Sequence, residues 1–206
     1  MSRANPRILI TGFGRFPGAP ANPAAPIARA LAKRRRPALA PTSRSAMVLP
    51  TTWATAADFS RTLDNIAPDI VLMVGLAACR PHLCVEVRGM NATGRSPDAS
   101  RTRPTDRLLQ RGGPANAACL AAPAPLLHAL RQAGVPAEAS RDAGGYICNA
   151  LAYRAYQWAA AGAEPRLAVF VHIPRPSPRL PASAITRAIE ALLVALVAQF
   201  KAASAR

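Results

Sequence analysis

Pro68-Asp-Ile-Val-Leu-Met-Val74-Gly75 carries an unbroken apolar run of strand length that ends at a glycine. Apolar residues without polar alternation mark a parallel strand covered on both faces. Leu167-Ala-Val-Phe-Val-His172-Ile-Pro174 has the same character and is stopped by proline. Arg7-Ile-Leu-Ile-Thr11 is a shorter third case, ending in a glycine-rich loop. Helical stretches separate these runs: residues 24–33, 54–66 and 124–133, the run after Cys148, and the chain from Pro181 onward. Strand and helix in alternation predict an α/β fold, a three-layer α/β/α sandwich on a mostly parallel twisted sheet. At 206 residues the chain reads as one domain, 1–206.

Shorter elements fill the rest. Asn22-Pro23 marks the start of the first helix, with asparagine as cap and proline in the first turn. Ser45-Ala-Met-Val-Leu-Pro50 reads as a second strand, and Gly134 as a stop before another short one. Leu83-Cys-Val-Glu86-Val-Arg88-Gly-Met90 reads as a single strand with a carboxylate in its middle. A buried carboxylate must be met by a partner, and either Arg88 or His172 could serve. Residues 95–113 are polar and rich in proline and glycine, a loop long enough for a lid or an assembly surface.

The formal charge of +16 invites a nucleic-acid reading. An aromatic content of 5%, with arginines scattered singly, argues against it, because no basic stripe is interleaved with stacking residues. The densest basic run, Lys33-Arg-Arg-Arg36, closes a helix, where positive charge suits the dipole and stays solvated. The four cysteines follow no disulfide framework, and Cys79-x-x-His82-x-Cys84 has no second ligand pair at zinc spacing, so no metal is expected. The chain start lacks a signal-peptide pattern, and the apolar tail around residues 184–200 is interrupted by Arg187 and Glu190. No membrane partner is expected, and a reducing cytoplasm is the expected setting.

Asp142-Ala-Gly-Gly-Tyr-Ile-Cys148-Asn149 leads directly into good helix formers. The glycines allow a tight turn and place Cys148 near a helix N-terminus, where unpaired amides favour a thiolate and can hold an oxyanion. Such a cysteine needs a base, and His172 stands at the carboxyl end of a buried strand, where α/β sheets gather their chemistry. Free cysteines and strand-end histidines are more often packing groups, so the pair requires an orienting carboxylate as well. Phe13 and Phe16 stand in the first loop and suggest a flat apolar ligand, with core anchoring as the alternative.

These residues resemble the pyroglutamyl peptidase I family, cysteine exopeptidases that remove an N-terminal pyroglutamate. Thr11-Gly-Phe-Gly-Arg-Phe-Pro-Gly with Asn22-Pro23 is similar to the family's opening loop. Val74-Gly-Leu-Ala-Ala-Cys-Arg80 with Glu86 and Asn91, then Ala143-Gly-Gly-Tyr-Ile-Cys-Asn149 and Val171-His-Ile-Pro174, follow in the family's order. The resemblance implies Cys148 as nucleophile, His172 as general base and acid, and Glu86 as the group that orients the imidazole. It also implies a substrate pocket of Phe13, Phe16, Asn22, Tyr146 and Ile147, no cofactor, and a homo-oligomer of two or four copies. Partners would be peptide or protein N-termini bearing pyroglutamate.

Several positions depart from the family pattern. Gly14-Arg15 replaces an acidic-proline pair, Pro17 replaces a glycine, and Ala78-Cys79 stands where a small residue and glycine are usual. Val87 replaces the arginine after the glutamate, and Arg88, shifted by one, points to the other face of a strand. Two alternatives therefore stand beside the peptidase reading: a relative that hydrolyses another small amide, and a binding protein with weakened turnover.

Overall fold

The apolar runs become the centre of a six-stranded sheet. The structure, a computed structural model of the chain, describes residues 5–16 and 19–205, so the departure at Pro17 lies outside the described residues. The strands are β1 (Arg7–Phe13), β2 (Ser43–Leu49), β3 (Ile70–Leu76), β4 (Leu83–Glu86), β5 (Arg88–Met90), β6 (Asn116–Ala118), β7 (Ala137–Ser140) and β8 (Leu167–Ile173). The main sheet has the order β2-β1-β3-β8-β4-β7, while β5 and β6 form a separate antiparallel ribbon. Alternate residues of the central strands are buried on opposite faces. Ile8, Ile10, Leu72, Val74, Val169 and Val171 meet one helical layer, and Leu9, Val71, Met73, Ala168 and Phe170 meet the other.

The first layer holds α1 (Ala24–Lys33), α4 (Pro123–Gln132) and α6 (Ala182–Ser204). The second holds α2 (Trp53–Ala57), α3 (Phe59–Ile66) and α5 (Ile147–Ala160), with the β5–β6 ribbon against α5. Helix α6 is long and apolar enough, at 23 residues and mean hydropathy 1.5, to cross a membrane. Its apolar residues Ile185, Ile189, Leu192, Leu193 and Leu196 are instead buried in the core against the sheet.

The three-layer architecture on a mostly parallel sheet is the expected one, and three further details differ. The sheet is parallel from β2 to β8, but β4 runs antiparallel to β8 and carries β7 parallel to itself. The stretch read as one strand from Leu83 to Met90 is two strands in two sheets. At the switch, Val87 N donates to Ser140 O (2.8 Å) and Cys119 N to Val87 O (2.9 Å). The helix expected over residues 54–66 is broken at Asp58, whose ψ of 0° lies outside regular helix. Arginines of the basic run are not all merely solvated: Arg34 Nε lies 2.9 Å and Arg36 Nη1 3.8 Å from Glu190 Oε2, a buried carboxylate of α6.

The ribbon approaches α5 closely because Gly89 has no side chain. A Cβ there would fall 2.6 Å from Tyr153 Cα, in the backbone of the helix. Neither element can move without disturbing packing, and overpacking costs about 1–3 kcal/mol. Gly89→Ala is therefore expected to lower the melting temperature by about 2–10 °C, whereas Gly112→Ala, at an open site, should suffer only the smaller strain of its φ of +70°. Thermal denaturation followed by circular dichroism checks the order of the two.

Candidate active site

Helix α5 delivers the thiol. Asp142 Oδ1 accepts from Gly144 N (2.9 Å), and Gly144 takes φ +79°, a conformation that glycine adopts without strain. The turn ends at Tyr146, which caps α5 with no side-chain hydrogen bond, so Cys148 sits in the first turn among amides that no side chain caps. The sulfur rests on Gly75: a Cβ at that position would stand 3.1 Å from Cys148 Sγ and 2.6 Å from Phe170 Cζ. Gly75 is paired with His172 across β3 and β8, which puts the thiol within about one strand spacing of the imidazole.

His172 is met from both sides. Its Nδ1 lies 2.7 Å from Glu86 Oε1, which leaves Nε2 outside that bond, and Cys148 acts electrostatically on the same ring. Burial alone would lower the imidazole pKa. The hydrogen bonds and charges of Cys148 and Glu86 outweigh it and raise the pKa to about 9. The contribution of this imidazolium to stability is thus full below pH 6.5, its ordinary value, and is lost as pH rises through about 9.

Antiparallel pairing brings the carboxylate there. Cys84 is opposite His172 and Glu86 opposite Phe170, so Glu86 is the diagonal neighbour of His172 on the face that α5 covers. Glu86 is completely buried. Of the two partners foreseen, His172 meets it and Arg88 does not, since Arg88 Nε donates to Arg141 O. The cation at Glu86 is Arg80, whose Nη1 donates to Glu86 Oε1 (2.9 Å) and to Ser140 Oγ (3.2 Å), while Nη2 donates to Asp142 O (2.5 Å). Arg80 thereby ties the carboxylate to the turn that carries Cys148.

The predicted pocket residues divide. Phe13 lies at the end of β1 and is 3% exposed, a core ring rather than an exposed one, which burial against Leu49 and the α5 layer explains. Phe16 is half-buried and pairs with Ala19 in a single bridge. Asn22 holds the first loop, donating from Nδ2 to Gly14 O (3.1 Å) and accepting at Oδ1 from Ala24 N (3.0 Å). Tyr146 is half-buried; its ring meets Trp53 edge-on at 5.6 Å and its hydroxyl donates to Pro97 O. The Ile147 side chain is wholly buried in the core, so only its backbone can face the site.

Four further residues belong to the arrangement and were given no role from the sequence. Asn149 is fully buried; it accepts from Met90 N (2.8 Å) and donates to the carbonyls of Met90 and Ala92, clamping the ribbon onto α5. Tyr156 OH donates to Glu86 O (2.6 Å) and accepts from Phe170 N (3.1 Å), bracing β4 against β8. Asn149, Tyr153 and Tyr156 recur at helical spacing, and polar atoms on the buried stripe of a helix are the signal that could have found them. Arg80 is third. Thr51, two residues beyond β2 and bonded through its carbonyl to Ala99 N, is fourth: its hydroxyl is buried without a partner, as is Glu86 Oε2.

Residues 91–115 cross over the site. Gly94 N donates to Gly145 O (2.5 Å), Ala99 N to Thr51 O (3.0 Å) and Trp53 N to Asp98 Oδ2 (2.9 Å). Burial would raise the Asp98 carboxyl, but donation from the amides of Trp53, Thr102 and Ser100 holds it below its usual range.

The family model for pyroglutamyl peptidase matches residues 6–202. Among similar sequences, pyrrolidone-carboxylate peptidase of Levilactobacillus brevis is 35% identical over 82% of this chain and 81% of its own. The protein of the same name from Streptomyces coelicolor is 33% identical over 92% of this chain and 91% of its own. The crystal structure of Bacillus amyloliquefaciens pyroglutamyl peptidase I superimposes with a TM-score of 0.84 at 25% identity, covering 95% of this chain and 98% of that one.

The four cysteines differ in environment. Burial raises the thiol pKa of Cys119 to about 11 and also raises that of Cys84, while Cys79 is exposed and Cys148 faces the imidazole. Iodoacetamide at pH 7 should therefore modify Cys148 and Cys79 well before Cys84 and Cys119, as peptide mass spectrometry over a time course would show.

Proposed function

Because this chain belongs to the pyroglutamyl peptidase family, we propose that it hydrolyses the amide bond after an N-terminal pyroglutamate, with Cys148 as nucleophile, His172 as base and acid, and Glu86 orienting the imidazole. The observation that carries the reading is the convergence on one imidazole of a thiol from α5 and a buried carboxylate from β4.

His172 Nε2 takes the thiol proton as Cys148 Sγ attacks the pyroglutamyl carbonyl carbon, and the amides at the start of α5 hold the resulting oxyanion. His172 Nε2 gives its proton to the leaving amine as the C–N bond breaks, leaving a thioester. Water, deprotonated by the same nitrogen, then attacks the thioester carbonyl and releases pyroglutamate and the free thiol. Glu86 keeps Nδ1 engaged throughout, so Nε2 alone changes partner. Phe16, Asn22, Tyr146, the backbone of Ile147 and the unpaired hydroxyl of Thr51 supply candidate contacts to the lactam; a half-buried ring and a free hydroxyl suit its flat face and its polar edge.

The same reading includes a homo-oligomer of two or four copies, favoured by the exposed side chains of Leu108 and Leu120. A cytoplasmic setting accords with four free cysteines.

A chromogenic pyroglutamyl amide tests the activity. Release of the chromophore is expected, and Cys148→Ala should reduce kcat by about 10⁴-fold or more. An intact enzyme that is alkylated at Cys148 yet releases nothing would sink the substrate assignment and leave the thiol chemistry.

The carboxylate has its own test. Glu86→Gln keeps shape but removes the charge that helps to raise His172. We expect kcat to fall about 10- to 100-fold with KM within about twofold, and the alkaline limb of kcat/KM, near pH 9 in the parent, to move to lower pH. A change confined to KM would assign Glu86 to substrate binding instead.

A further inference from the structure

The segment crossing the site, residues 91–115, carries five arginines against two aspartates. Both aspartates are already engaged. Asp98 faces inward, accepting from Trp53 N, Ser100 N and Thr102 N. Asp106 accepts from Arg107 N (2.7 Å) and Leu108 N at Oδ1, and from Arg111 Nε (2.5 Å) at Oδ2. The Arg111 hydrogen bond is the main cause that holds this carboxyl below its usual range.

Arg95, Arg103 and Arg107 line a hollow of about 240 Å³ together with Gly94 and Asp106. Arg103 Nη1 donates to Arg95 O (2.6 Å), which folds that side chain over the hollow. Since Asp106 is matched by Arg111, the three lining arginines have no carboxylate of their own within it.

The position of the hollow relative to the thiol decides what could fill it. Gly94 is fastened to Gly145, three residues before Cys148, and a Cβ on Gly94 would come 2.6 Å from Gly145 O. The hollow is thus held at the edge of the site by a backbone contact that leaves no slack. An extended chain covers ~3.3–3.6 Å per residue, so the three residues from Gly145 to Cys148 span at most ~11 Å, and a peptide directed from the thiol toward Gly94 covers that span in two or three residues. Guanidinium groups recognise carboxylates by paired, charge-assisted hydrogen bonds.

We propose that this hollow is a subsite for a carboxylate side chain on the peptide that follows the pyroglutamate, so that the enzyme favours substrates acidic at the second or third position after the scissile bond. The inference rests on the proposed peptidase function. The leaving peptide enters with its acidic side chain between Arg95 and Arg107, and the arginine-rich strap draws such peptides toward the thiol before they bind.

Pyroglutamyl pentapeptide amides with aspartate or asparagine placed in turn at the first, second and third positions after pyroglutamate provide the test. At low ionic strength the Asp/Asn ratio of kcat/KM should be about tenfold at the second or third position and about one at the first, a tenfold ratio being worth 1.4 kcal/mol. In 0.5 M NaCl the ratio should shrink severalfold. In the Arg95→Gln/Arg107→Gln variant it should drop to about one, each ratio being measured within one enzyme so that altered folding or turnover cancels. A ratio of one at all three positions, or one that persists in the variant, overturns the subsite. Release from a neutral chromogenic amide in the parent enzyme would then still uphold the peptidase reading, whereas failure on every substrate would remove that reading instead.

Discussion

A fully buried carboxylate, Glu86, sets the terms for the structure around it. An isolated charge in such a place costs several kcal/mol, so the fold must supply partners from elements remote in sequence. His172 comes from β8, Arg80 from the loop after β3, and Tyr156 from α5 to hold the backbone oxygen. Two of the partners also have a second attachment, Arg80 to the turn before Cys148 and Tyr156 to Phe170 N, while His172 is held electrostatically by Cys148. Satisfying one charge therefore aligns four elements. This accounts for how an imidazole and a thiol from separate elements meet without a metal or disulfide joining the described residues.

Much of the scaffold was legible because burial on both faces leaves a signature that short-range order cannot imitate. The runs at Ile8, Ile70 and Leu167 became β1, β3 and β8, and the helices between them followed. What did not emerge was direction. Composition is the same for a strand whichever way it runs, and nothing local in Leu83-Cys-Val-Glu shows that β4 pairs antiparallel with β8. The break at Val87 was hidden for a related reason. Val87 keeps β-forming character while its hydrogen bonds pass from β7 on one side to Cys119 on the other. Tertiary pairing, not propensity, divides the run.

The same limit shaped the site. Glu86 was legible as a charge that needed company, and His172 as one answer. Arg80 was not, because it reaches Glu86 from a loop whose path no periodicity records. Asn149 and Tyr156 were hidden in a helix that reads as apolar, where their polar atoms answer backbone groups of β4, β5 and β8. Phe13, read as either a ligand contact or a core anchor, is covered because the sheet continues to it.

The charge balance follows from the same economy of acids. Every aspartate and glutamate except Glu164 has a partner among the described residues: Arg61 for Asp58, Trp158 for Asp64, Arg7 N for Asp69, Gly144 for Asp142 and His82 for Glu138, besides those already described. With nine of the ten acids engaged in this way against 26 Lys and Arg, the excess of +16 falls to side chains without a carboxylate partner, several of which bond backbone carbonyls instead. Such charge is screened over about 8–10 Å at physiological salt, so its effect is local rather than global. Where it lies next to the thiol it acts on whatever approaches, and the strap of residues 91–115 is the part of the surface fastened there by hydrogen bonds. A nucleic-acid binder would spread such charge along a face with stacking rings between. In this chain part of it gathers at Arg95, Arg103 and Arg107, on the segment bonded to the turn before Cys148; under the proposed reading, electrostatics there select among substrates and the bond-breaking step is left to the groups around Glu86.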